Sequence, residues 1–119
     1  MNVPKMLRSF KYAFQGIGVL LHENNARFHL FATVVVILLG LLLHISHTEW
    51  AFVIMLIGLV WAAEAFNTAI EKICDFISSE YHPLIGKIKD LAAAGVLIIS
   101  IVAVIVGIII FLPKILASL

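Results

Sequence analysis

Glu64, Asn67, Glu71 and Asp75 are spaced so that a single helix would carry them together. At about 100° per residue, the three acids fall within a stripe roughly 40° wide, with Asn67 beside it. Glu64 also closes an apolar run from Trp50 to Ala63. A carboxylate at the edge of hydrocarbon is costly and calls for a partner or a task. The chemistry on offer there is proton transfer, general-base catalysis or cation binding. The competing reading for Glu64 is a helix–helix hydrogen bond, or a side chain that reaches back to the membrane interface.

Other residues extend the pattern. Glu71 lies nearly two turns beyond Glu64, and Glu23 precedes an earlier apolar run. Together they could hold a hard divalent cation, because magnesium prefers oxygen and typically takes one or two carboxylates plus substrate phosphates. A solvated helix face is the alternative. Lys89-Asp90 stands just before the last apolar run. There the lysine could contact phosphate and the acid a sugar or a metal shell, or both could simply mark the membrane interface. Tyr12 and its neighbouring cations could face a nucleotide or lipid headgroups. The five histidines are scattered, with neither HExxH nor CxxC, which disfavours zinc. The phosphate loop GxxxxGK[ST], the fingerprint GxGxxG and the soluble protein kinase motifs do not occur. If ATP is handled here, it is handled without the common nucleotide folds. The single cysteine, Cys74, cannot form an intrachain disulfide and reads as a small apolar helix residue.

These side chains must be positioned by membrane helices. Of 119 residues, 63% are hydrophobic and 13% charged, which excludes an ordinary soluble domain. The length implies one domain, residues 1–119. Val3, Leu7, Phe10, Phe14, Ile17 and Leu21 recur at helical spacing, with Lys5, Arg8 and Lys11 largely off that seam. This predicts an amphipathic helix over 4–22 lying on the bilayer surface. Spans are expected at about 28–45, at 50–70 with an extension to 77, and at 91–112. Ser78-Ser79 and His82-Pro83 should end the second span, and Gly86 should loosen the connection. No cleavable signal peptide is expected, because no long apolar core precedes His22-Glu23. Lys5, Arg8, Lys11, Arg27, Lys72, Lys87 and Lys89 all flank one side, and the 44–49 connection has no Lys or Arg. The N-terminus and the acid stripe are therefore expected at the cytoplasmic face.

With these residues assembled, the chain resembles the small prokaryotic diacylglycerol kinase and undecaprenol kinase family. The resemblance rests on Glu64-Ala-Phe-Asn67-Thr-Ala-Ile-Glu71, Ser79-Glu-Tyr-His82, Lys89-Asp90 and the Glu23-to-Arg27 spacing. It covers nearly the whole chain. It implies an ATP- and magnesium-dependent lipid kinase in the bacterial cytoplasmic membrane, built as an all-α homotrimer with shared active sites. By position it implies Glu64 as the catalytic base, supported by Asn67. Glu23 and Glu71 would be magnesium and ATP ligands. Tyr12, Glu80, Tyr81, His82, Lys89 and Asp90 would be nucleotide contacts. Departures from the diacylglycerol-specific pattern fall on the acceptor side. Ala93 stands where those members tend to carry serine, Gln15 replaces a basic residue, and Gly18 and His22 make the surface helix less basic and less aromatic. Glu23-Asn-Asn-Ala-Arg27-Phe-His29 looks more like the undecaprenol kinase branch. Two other classes compete: a small ion- or proton-conducting protein, and a noncatalytic membrane subunit indifferent to changes at Glu64 and Glu71.

Overall fold

The computed structural model describes residues 1–119 as four helices: α1 (Val3–Leu21), α2 (Asn24–Leu42), α3 (His47–Ile77) and α4 (Pro83–Ser118). Helices α2, α3 and α4 are long and apolar enough to cross a membrane. At about 1.5 Å per residue, even α2 nearly matches the roughly 30 Å of hydrocarbon in a bilayer. With 31 and 36 residues, α3 and α4 exceed it, so both extend past the apolar zone.

Local chemistry accounts for the starts of α1, α3 and α4. The Asn2 side chain accepts from Lys5 N at 3.1 Å, and Pro4 sits in the first turn of α1. A capping box begins α3: Glu49 N donates to Ser46 Oγ, and Ser46 N donates to Glu49 Oε1. Pro83 opens α4 behind His82, whose Nδ1 accepts from Leu84 N at 3.1 Å. At the far end of the molecule, Lys114 of α4 pairs with Glu49 of α3 at 3.2 Å.

The chain's main packing is α3 against α4, with α1 and α2 touching it along shorter stretches. A core of Ile45, Val53, Ile110 and Phe111 lies where the α2–α3 hairpin meets the C-terminal part of α4. Only 12 of 119 residues are buried within one chain, so most apolar side chains must be covered by lipid or by other copies. Along α1, the seam residues Leu7, Phe10 and Phe14 are all exposed, and Leu20, off that seam, is the buried one.

Two expectations are corrected. The first span does not run to Ile45: α2 begins at Asn24 and stops at Leu42. His44 takes a left-handed backbone conformation (φ 51°), and Ile45 N donates to Gly40 O at 3.2 Å. That bond closes a Schellman-type turn and drops the Ile45 side chain into the core. A Cβ on Gly40 would lie 2.6 Å from the Trp50 ring, so glycine there permits the close hairpin. The second correction concerns Gly86: α4, which contains the expected 91–112 segment, is continuous from Pro83 and already includes Gly86, Lys87, Lys89 and Asp90. Gly86 therefore does not loosen a connection. It lies under the Tyr81 ring, where a Cβ would approach Cε2 to 3.2 Å. Pro113 is also accommodated inside α4, at the loss of one backbone donor.

Candidate active site

Helical periodicity places Glu64, Asn67, Glu71 and Asp75 down one side of α3, and side chains of α2 and α4 bond to that side. Glu64 is 2% exposed, and its Oε2 lies 3.3 Å from His29 Nε2 on α2. When ionised, this carboxylate can only accept, and the imidazole is then the donor. Next on the stripe, Asn67 is buried and its Nδ2 donates to Glu71 Oε1 at 3.3 Å. Asn67 Oδ1 is then buried without a partner. Lys72, beside Glu71, pairs with Glu23 at 3.3 Å. Glu23 is the N-cap residue of α2 but makes no side-chain capping bond, which leaves its carboxylate for this pairing. Asp75 completes the stripe by accepting from Lys89 Nζ on α4.

The structure thus gathers Glu23, Glu64, Asn67, Glu71 and Lys89 along α3. Contacts within one chain do not bring the other expected positions to Glu64. Tyr12 is exposed on α1 and Asp90 is exposed on α4. In the α3–α4 connection, Glu80 N and O bond only with Ser78 Oγ, Tyr81 covers Gly86 and His82 caps α4.

Two apolar cavities flank the stripe. One of about 270 Å³ lies among α2, α3 and α4, with Phe28, His29 and Ser100 at one end and Phe111 at the other. A second, of about 420 Å³, lies between α3 and α4 and is lined by Asn67, Phe66, Ala92 and Gly95. His29 lines the first and Asn67 the second.

His29, Thr33 and Trp61 were not legible as site residues. Trp61 Nε1 donates to Thr33 Oγ1 at 3.0 Å, and Thr33 Oγ1 donates to the His29 carbonyl at 2.7 Å. The one available signal was a histidine at the start of an apolar span, within Glu23-to-His29. The sequence holds nothing that pairs it with a carboxylate 35 residues away.

Residues 11–111 match the model of the prokaryotic diacylglycerol kinase family. The chain belongs to this family. Membership makes it a lipid kinase, and a kinase draws its phosphoryl group from ATP. The chain is 38% identical over 114 residues to the undecaprenol kinase of Bacillus subtilis strain 168, covering 95% of this chain and 93% of that one. It is 38% identical over 116 residues to the diacylglycerol kinase of Synechocystis, covering 96% of this chain and 66% of that one. To the diacylglycerol kinase of Escherichia coli K12 it is 32% identical over 102 residues, with 85% and 84% covered.

The donor set of this family member suits a magnesium ion. Glu23, bonded to Lys72, and Glu71, bonded to Asn67, offer the hard carboxylate oxygens that magnesium prefers, and the unpartnered Asn67 Oδ1 adds a third oxygen. No cluster of three or more His, Cys, Asp or Glu side chains converges. Magnesium does not need one when substrate phosphates and water supply its remaining ligands.

Proposed function

We propose that this protein transfers the γ-phosphoryl group of ATP, with magnesium, to the hydroxyl of a membrane lipid, undecaprenol or diacylglycerol, at the cytoplasmic face of the bacterial cytoplasmic membrane. The observation that carries this reading is the Glu64 carboxylate, withdrawn from water at the head of an acid stripe and bonded to His29, which lines an apolar cavity. Glu64 is the general base and accepts the proton of the attacking hydroxyl. The lipid enters laterally. The cavity starting at Phe28 and His29 suits a hydrocarbon tail, because it runs toward the bilayer interior. Asn67 supports the site next to Glu64. Glu23 and Glu71 would hold the magnesium ion, which when bound offsets the charge of the ATP phosphates. Lys89 adds a fixed cation for the phosphates. Phosphoryl transfer needs mainly positioning and charge stabilisation, which a small helical bundle can supply.

Tyr12, Glu80, Tyr81, His82 and Asp90 complete the nucleotide site. Their separation from Glu64 within one chain supports sites shared between neighbouring subunits, and the family resemblance makes the assembly a homotrimer. Helix α1 lies on the membrane with its exposed apolar seam toward lipid. The N-terminus is cytoplasmic, on the side where lysine and arginine concentrate. On the acceptor side, Ala93 and the Glu23-to-His29 segment favour undecaprenol.

The test is transfer from labelled ATP by purified protein in mixed micelles with magnesium. Undecaprenol and diacylglycerol are offered separately and in competition. The expected result is transfer with undecaprenol preferred, and its loss in Glu64→Gln by at least about 100-fold with ATP binding retained. Full activity of Glu64→Gln would remove the base assignment. No transfer to either lipid would remove the whole reading.

A further inference from the structure

We infer that His29 is a positioning residue for the Glu64 carboxylate. The inference rests on Glu64 acting as the base. His29 is the one side chain bonded to Glu64 in the chain, at 3.3 Å, and the two are 9% and 2% exposed. The bond uses Oε2 only. Oε1 carries no protein hydrogen bond and is left for the incoming hydroxyl. A carboxylate rotates freely about its last torsion unless one oxygen is anchored. Anchoring Oε2 therefore fixes where Oε1 points.

The anchor is itself held. Its ring packs against Trp61 at a centroid distance of 5.9 Å and edge-on to Phe28 at 5.8 Å. Trp61 lies three residues before Glu64 and bonds to Thr33, which bonds to the carbonyl of His29. Two rungs, Trp61–Thr33 and Glu64–His29, thus lock α2 to α3 one turn apart. Around the cavity that His29 lines, the α4 residues Ser100, Ala103, Val104 and Gly107 bear no charge, so Glu64 is the only ionic partner facing the ring. His29 also stands at the end of that cavity, where a lipid hydroxyl following its tail would arrive.

Steady-state kinetics on purified variants in mixed micelles test this. His29→Phe keeps an aromatic ring against Trp61 but removes the donor, and His29→Gln keeps an N–H donor of similar reach. His29→Phe is expected to lower kcat by about 100-fold with the KM for ATP changed less than about twofold, and His29→Gln to recover at least about a tenth of the wild-type kcat. If His29→Phe does not fold, His29→Asn replaces it, because its amide is too short to reach Glu64 and the same loss is expected. A wild-type kcat in the donor-lacking variant overturns the inference. So does an equal loss in His29→Gln, since a purely structural role would not be rescued by a donor. Glu64→Gln is run in parallel. If it is inactive while His29→Phe is normal, only the inference fails; if it is fully active, the base assignment itself fails.

Discussion

Glu71 and Glu23 come from different parts of the chain, and the bonds around them differ in kind. Glu71 is held by an amide from its own helix, and Glu23 by Lys72 from a neighbouring one. Both partners leave carboxylate lone pairs free, and Asn67 Oδ1 between Glu64 and Glu71 has no partner at all. A buried acceptor left unpaired costs about 1–3 kcal/mol, a cost that a bound cation would relieve. If these three form the proposed magnesium site, Glu71→Gln and Glu23→Gln should each raise the magnesium concentration for half-maximal activity by about tenfold or more. Asn67→Ala should raise it less. A magnesium titration at fixed ATP reads all three, and an unchanged midpoint in both glutamine variants would discard the site. The stripe itself was legible from sequence, because side chains 7 and 11 residues apart on a helix must share a face. The His29 anchor was not, because it depends on how α2 is set against α3.

At the scale of elements, the α2–α3 hairpin carries the register that brings His29 to Glu64. Its tight end depends on Gly40, against which the Trp50 ring packs. In Gly40→Ala the helix would gain about 1 kcal/mol in propensity, but a Cβ 2.6 Å from a half-buried indole must displace the ring. Overpacking of this kind costs about 1–3 kcal/mol. The net expectation is a lower Tm, by several degrees, in thermal unfolding followed by tryptophan fluorescence in detergent. An unchanged or raised Tm would show that the hairpin relaxes without cost. The hairpin's end was misjudged from sequence because no glycine marks it. His44 takes the left-handed turn position instead, and the turn is held by Ile45 reaching the core. The role of Gly86 was misjudged for the opposite reason. Gly86 looked like a break, but Tyr81 packs over it and the helix runs through.

For the whole molecule, the governing fact is how little one chain buries. Large apolar residues are exposed on every helix, from Phe14 on α1 and Phe31 on α2 to Phe66 on α3 and Ile109 on α4. A bilayer can cover much of this surface. It cannot supply the proposed nucleotide contacts, which lie apart from Glu64. The proposed trimer therefore predicts a detergent-corrected protein mass of three 13.1 kDa chains by light scattering. A fully active monomer would rule out shared sites.

The sequence alone determined that this is a helical membrane protein with its acids in a row, and its motifs were sufficient to place it in its family. Hydrophobic run length and 3.6-residue periodicity are local properties, which no later packing step alters. Only the tertiary structure decided which side chain meets which. The His29–Glu64 bond, the Glu23–Lys72 pair and the Asp75–Lys89 pair each join different helices. Their existence depends on helix register and rotation, which packing of the whole chain sets and no local spacing encodes.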